Sequence, residues 1–444
     1  MIKCGRIYMF PVLLKDTYNL GELHMSLVTV ALVGAGNRGV EAYAPYALIN
    51  PDQMKFVAVC EPDRERRQAF QDAFEIPGKM CFDSYNELLK QPRIADAVFI
   101  CTQDKMHFLP TIEFLRKGYH ILLEKPMSPD IKECILMAEE ARKQDRALII
   151  CHVLRYTSFF KAIKNILESG KIGKLISIVH NENVGYFHQA HSFVRGNWRN
   201  KDETSPMILA KCCHDMDILH WLADSKCKNI SSFGSLTHFK AENVPEGAAK
   251  RCLDGCKYAD DCIYYAPKQY LTDDIGWPTS VISADTSYKA REKALKKGPY
   301  GRCVYHCDNN VVDNQVANME FENGVTAAFT MCAFTNECNR VMRLMGTNGE
   351  IEGDVENGFI TVKEFKTGNV ENISVSSGAA GHSGGDYGII NSVINTILGK
   401  GDDRSSVTQS LQSHMMAFAA EKSRLEGRIV DIDEYIEEIS QLYK

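Results

Sequence analysis

Lys125 of this 444-residue chain is a candidate to move a proton, with a surface lysine before a proline turn as the alternative. It follows the apolar run His120-Ile121-Leu122-Leu123 and stands between Glu124 and Pro126. Burial lowers a lysine's pKa and makes the side chain a usable acid or base. Proline restrains the residue before it to extended backbone, which aims Lys125 out of a strand end. A second group has a different chemistry. Gly34-Ala35-Gly36-Asn37-Arg38-Gly39 has G-x-G-x-x-G spacing and directly follows the β-branched run Val28, Val30, Leu32, Val33. In that arrangement Gly34 turns tightly, Gly36 admits a pyrophosphate close to the backbone, and Gly39 lets the next helix lie on the strand. Glu61 ends the next apolar strand, 22 residues beyond Gly39, where a carboxylate holds a pair of ribose hydroxyls. A carboxylate repels a 2′-phosphate, so Glu61 favours NAD over NADP, with Arg64 acting in the opposite sense. A glycine turn or a strand-end acid is commonplace alone. Together with the strand–helix–strand context they describe a dinucleotide site.

These residues need a scaffold, and the apolar pattern supplies one. Short buried runs at 56–60, 97–100, 120–123 and 147–150 alternate with helical patterns at 84–89, 109–117 and 129–144. Such alternation predicts a parallel, doubly wound sheet over residues 28–150, preceded by an N-terminal extension at 1–27. Ligands on such sheets bind at the carboxyl ends of the strands, so Thr102, His107, Glu124, Lys125 and Pro126 belong on one rim. From residue 151 the pattern changes. Helical spacing at 157–169 and 206–222 is followed by strand patterns at 174–183, 315–321, 325–330, 340–346, 351–355 and 359–362, with turns at Glu322-Asn323-Gly324 and Thr347-Asn348-Gly349. Residues 151–444 therefore read as an α+β domain with an open, mainly antiparallel sheet, closed by a helix at 407–425. The leader at 1–24 lacks the long apolar core of a signal peptide, and two readings stay open: an upstream start before Met25, or a genuine N-terminal arm. A net charge of −6 and the lack of an 18-residue apolar run argue against nucleic acid and membrane as partners and for a cytoplasmic protein.

The glycine loop, Thr102 and His107, Glu124-Lys125-Pro126 and His214-Asp215-Met216-Asp217 occur in the order and spacing of the Gfo/Idh/MocA oxidoreductases, the glucose–fructose oxidoreductase and inositol dehydrogenase family. The chain resembles that family from about Val28 to Val430, outside an insertion near 245–305. The resemblance implies a Rossmann domain, a second domain whose open sheet forms homodimer or homotetramer contacts, and NAD(P) chemistry on sugars or polyols. It implies cofactor contacts from Gly34, Gly36, Asn37, Arg38, Gly39, Glu61, Thr102, His107, Glu124 and Lys125. It places the family's catalytic histidine on His214, an imidazole that titrates near neutrality and can shuttle a proton. The aspartate of the same H-x-x-D motif falls on Asp217. Many members carry an aspartate four residues before the histidine. Here that position is Ala210, followed by Lys211; either Lys211 supplies the missing polar group or the relay runs through His214 alone. Arg155 and Tyr156 follow the last Rossmann strand, where the family crosses back to the cofactor. His382 opens an H-x-G-G-D segment that reaches the substrate site in relatives.

Two stretches lie outside those motifs. His188, His191, Arg195, Trp198 and Arg199 have the composition of a carbohydrate subsite, in which aromatic faces stack on sugar CH groups and cations bond hydroxyls or a carboxylate. An ordered loop with satisfied polar groups is the alternative. Of the 16 cysteines, five fall between Cys252 and Cys307 in a polar segment. Cys252, Cys256, Cys262 and Cys303, with Cys307 as an alternate fourth ligand, have spacing for a structural zinc ion; an iron–sulfur cluster and plain free thiols are the competing readings. The leading functional expectation is an NAD-dependent oxidoreductase acting on a sugar, polyol or glycoside. The alternatives are redox-neutral glycoside cleavage through a transient keto-sugar, and a non-catalytic protein that binds NAD and sugar.

Overall fold

A computed structural model describes residues 27–283, 285–376, 384–401 and 406–441. The first sheet is parallel throughout, built from β1 (Val28–Val33), β2 (Met54–Cys60), β3 (Cys81–Phe82), β4 (Ala97–Ile100), β5 (His120–Leu123) and β6 (Leu148–Ile150) in the order β3-β2-β1-β4-β5-β6. The strand order reverses beside β1, which puts the glycine loop at the switch point of a doubly wound sheet. The near-continuous apolar runs follow from burial on both faces. Val30 and Leu32 pack into one core layer, while Ala31 and Val33 pack into the layer on the opposite face.

The second sheet has nine strands. β7 (Leu175–Asn183), β8 (Cys227–Ser235), β9 (Asn314–Phe321), β10 (Thr326–Cys332), β11 (Asn339–Gly346), β12 (Gly349–Asp354), β13 (Phe359–Glu364), β14 (Val370–Ser374) and β15 (Val430–Asp431) run in the order β14-β13-β12-β11-β7-β10-β9-β8-β15. All its pairings are antiparallel except β7 with β10. One face packs on helices and one is open, so the strands alternate: in β9, Gln315, Ala317, Met319 and Phe321 are buried and Val316, Asn318 and Glu320 face outward.

Three local features position the site. The helical pattern at 206–222 is broken at Lys211-Cys212 into Met207–Ala210 and Cys213–Ala223, so Lys211 sits at a joint rather than inside a continuous helix. The helix Val407–Glu426 packs on the second domain's helix Cys213–Ala223 and on the Rossmann helix Ile131–Gln144, and its His414 accepts the Met127 N–H at 2.9 Å. Adjacent antiparallel strands β8 and β9 are joined by residues 236–313 instead of a short turn. Among the described residues no helix is long and apolar enough to cross a membrane.

Candidate active site

The glycine loop has the geometry that its residue types require. Gly34 has φ +94°, and a Cβ there would lie 2.8 Å from the Cys101 carbonyl oxygen, so the loop and the end of β4 touch backbone to backbone. At Gly36 nothing lies within 4 Å of where a Cβ would stand, which leaves open space for a ligand's approach. Glu61 is buried at the end of β2. Its Oε2 accepts the Ala35 N–H at 2.8 Å and its Oε1 the Asp63 N–H at 2.9 Å. The carboxylate thus braces the loop, with lone pairs left over for a hydroxyl donor.

The rim beyond the loop is organised by Glu124. This buried carboxylate accepts from Arg38 Nε at 2.7 Å, from the Lys125 N–H at 3.0 Å and from the Tyr43 hydroxyl. Burial opposes its ionisation, yet Arg38, Tyr43 and Lys125 together outweigh burial and hold its pKa below the ordinary value. Arg38 also meets Asp386 at 2.7 Å and donates to Tyr43, so its charge is balanced within the protein by two carboxylates. Asn37 bonds Glu41 one turn along. His107 is buried with Nδ1 2.8 Å from the Pro126 carbonyl and Nε2 3.0 Å from the Thr102 carbonyl. It therefore ties two strand-end loops together, a bracing position behind the rim, and Thr102 takes part through its backbone.

Lys125 crosses between the domains: its Nζ donates to the Ala210 carbonyl at 3.1 Å. The next residue, Lys211, places Nζ 3.1 Å from Glu182 Oε1. Burial works against the Lys211 ammonium, but Glu182 outweighs it and raises the pKa. Lys211 is thereby a paired cation at neutral pH. Glu182 also pairs with Arg340, whose Nε bonds Asp215 at 2.8 Å, and Asp215 meets His180 Nε2 at 2.8 Å. His214, 7% exposed, opens the helix next to this network, its ring 5.8 Å from that of His152.

Several other expected residues face elsewhere. Asp217 forms a two-pronged pair with Arg155 at 2.6 and 2.7 Å, and both side chains are only 1% exposed, so these two groups hold each other in the interior. Burial raises the Asp217 pKa, but Arg155 outweighs it and the net shift is downward. Tyr156 is buried and bonds Ser392 at 3.0 Å. In the stretch read as a subsite, His188 feels the charges of both lysines. Burial first, and then the charges of Lys211, His191, Lys125 and Arg340, push its pKa well below the ordinary value. Arg195 is fully buried and donates to the Arg302 and Tyr264 carbonyls at 2.8 and 2.6 Å. Arg199 grips Asp308 at 2.8 and 2.9 Å, and Trp198 Nε1 reaches Asp104 at 3.4 Å. The two arginines therefore anchor the insertion, and Trp198 leans on the Rossmann domain. His382 lies outside the described residues.

The zinc expectation finds no support in the structure. Among the described residues no group of three or more His, Cys, Asp or Glu side chains is gathered to hold a metal ion. Cys252 Sγ instead accepts from the Ala266 N–H at 3.4 Å and from Arg195 at 3.8 Å, and Cys307 Sγ bonds the Cys303 carbonyl at 3.4 Å. Cys252, Cys256, Cys262 and Cys303 are all free thiols, and burial pushes Cys262 and Cys303 up. The insertion is held by arginines reaching carbonyls and by two apolar clusters, around Phe239 and Tyr264 and around Tyr270 and Leu295.

Glu182, His180, Asp215 and Arg340 were not anticipated. A signal for two of them exists: Ile178, His180 and Glu182 alternate along β7 on its buried face, where apolar residues are the rule. Tyr43 carries no such signal, and although Asp386 closes the H-x-G-G-D segment, only the fold shows it paired with Arg38.

A doubly wound domain with a G-x-G-x-x-G loop at its switch point, joined to an open, mainly antiparallel sheet domain, defines the class of two-domain dinucleotide-binding proteins. The chain belongs to the GFO/IDH/MocA family: residues 28–152 match its NAD-binding Rossmann fold and residues 164–432 its C-terminal alpha/beta domain. It is similar to inositol 2-dehydrogenase of Leifsonia xyli, 28% identical over 39% of this chain and 47% of that protein. It is also similar to glycosyl hydrolase family 109 protein 3 of Phocaeicola vulgatus, 27% identical over 44% of this chain and 34% of that protein. These alignments span about half or less of the relatives' own length. An oxidoreductase from Agrobacterium radiobacter, solved with NAD+, L-tartaric acid and magnesium, has the same fold: TM-score 0.67, 14% identity, 92% of this chain and 99% of that one.

Proposed function

We propose that the protein is an NAD-dependent oxidoreductase that exchanges a hydride with a hydroxyl-bearing carbon of a sugar, polyol or glycoside. The observation that supports this reading is the bond from Lys125 Nζ to the Ala210 carbonyl, which ties the lysine at the end of β5 to the second domain. Gly34, Gly36 and Gly39 fit the pyrophosphate and Glu61 a ribose hydroxyl; nicotinamide, when bound, takes or returns the hydride. Lys125 positions the substrate hydroxyl and receives its proton, and His214 passes that proton on. Lys211, held as a cation by Glu182, draws electron density toward the substrate oxygen as it loses its proton. Glu61 supports NAD over NADP. Exposed Val179, Phe233 and Val316 on the second sheet's open face support a homodimer or homotetramer. A cytoplasmic location accords with the composition.

The test is incubation with NAD and a panel of sugars, polyols and aryl glycosides, following NADH absorbance and released aglycone together. Net NADH supports the dehydrogenase. Aglycone without NADH replaces it with redox-neutral cleavage, the second reading, which the similarity to the glycosyl hydrolase family 109 protein favours. Cofactor binding with neither product leaves a binding protein and refutes both.

A further inference from the structure

The segment joining β8 to β9 does not stand away from the protein. Gln269 Nε2 donates to the Phe187 carbonyl at 3.1 Å, and the Tyr270 hydroxyl lies 2.9 Å from His191 Nδ1. Tyr300 stacks on the His191 ring at 4.8 Å and 16°. With Arg195 clamped between the Arg302 and Tyr264 carbonyls, the insertion is fixed against the stretch that carries His188 and His191.

Trp277 lies at the edge of this junction. Its indole meets the His188 ring at 4.8 Å and 81° and the His191 ring at 5.5 Å and 77°. Even so, 45% of the residue remains exposed. An indole carries one of the largest apolar surfaces of any side chain, and leaving half of it in water forgoes substantial stabilisation. The location gives that exposure a use. His188 Nδ1 lies 3.5 Å from Cys338 Sγ, two residues from the Arg340 that shares Glu182 with Lys211. One imidazole therefore separates the indole from the charged end of the candidate site. Ammonium and carboxylate groups there recognise hydroxyls, whereas an indole face recognises the apolar CH face of a pyranose or an aryl group.

We propose that Trp277 is a stacking wall for a ring outside the reacting one, so that the preferred substrate is a glycoside carrying a second sugar or an aryl group rather than a free monosaccharide or polyol. The inference rests on the reading of the cleft at Lys125 and Lys211 as a carbohydrate site. It gives the insertion a role in specificity.

The test is calorimetric binding of p-nitrophenyl hexosides and the matching free hexoses to the NAD-loaded full chain, with Trp277→Ala and Trp277→Phe alongside the parent. The expected result is that W277A loses tenfold or more in affinity for the aryl hexosides and less than twofold for the free hexoses, while W277F keeps most of the difference. Equal losses for both ligand types, no loss for either, or no binding of any aryl hexoside overturns the proposal. So does a changed oligomeric mass in W277A, which would make the indole a subunit contact. NADH formation by the parent on the same panel is scored separately. If hydride transfer occurs and W277A shows no selectivity, the proposal fails and the oxidoreductase reading stands. If aryl hexosides bind selectively through Trp277 without hydride transfer, the reverse holds.

Discussion

Removing the Asp217 carboxylate tests whether the H-x-x-D aspartate serves the substrate or the fold. Asp217 and Arg155 are each 1% exposed and joined by two bonds of 2.6 and 2.7 Å. Asp217→Ala leaves a guanidinium buried with its counter-charge gone, and breaking one partner of such a pair costs about 3–5 kcal/mol. At roughly 2–4 °C per kcal/mol for a domain of 150–250 residues, Tm should fall by about 6–20 °C. Replacing both residues, Arg155→Leu with Asp217→Leu, removes the stranded charge along with the pair, so the double variant should recover most of the loss. The pH dependence has a defined sign. The native pair holds the Asp217 carboxyl below its ordinary 3.8, so its stabilisation is complete above that pH and is lost as pH falls through the lowered native value. D217A should lack that part of the acid loss. Scanning calorimetry at pH 7 and through the acid range, with NADH formation measured well below Tm, reads all three effects. An unchanged Tm with abolished hydride transfer would refute the structural assignment, and so would strictly additive losses in the double variant.

Lys125→Met should reduce hydride transfer by about 10²–10⁴-fold, the range for losing a positioned proton acceptor, while NADH fluorescence titration shows the cofactor still bound; turnover within threefold of the parent would remove Lys125 from the chemistry. Gly34→Ala forces a side chain into a φ of +94° and to 2.8 Å from the Cys101 carbonyl. It should cost about 1–3 kcal/mol in stability and weaken NADH binding, measured by denaturation and titration on the same preparation. Arg195→Ala removes the bonds to the Arg302 and Tyr264 carbonyls, so limited proteolysis should newly cut within residues 236–313, with fragments mapped by mass spectrometry. A cleavage pattern like the parent's would show that the apolar clusters alone hold the insertion.

The amino-acid order by itself determined the parallel sheet, the glycine turn and the position of Lys125 on its rim. Those follow from local rules: strand burial on two faces, a backbone contact that only Gly34 tolerates, and a strand end before proline. The open second sheet was legible for the same reason, from period-two alternation in strands such as β9. Partnership was not legible, because charged side chains pair across the chain at distances that spacing does not encode. Arg155 and Asp217 are 62 residues apart and neutralise each other. Arg38 finds Asp386 348 residues away, and Arg195 reaches carbonyls instead of sugar hydroxyls. The cysteine spacing pointed to a metal, yet among the described residues no group of three or more His, Cys, Asp or Glu side chains is gathered to hold one. Only tertiary packing decides which buried charge meets which counter-charge, since desolvation compels every such group to take the nearest partner the fold supplies. It set Lys125 against the Ala210 carbonyl of the second domain and Lys211 against Glu182.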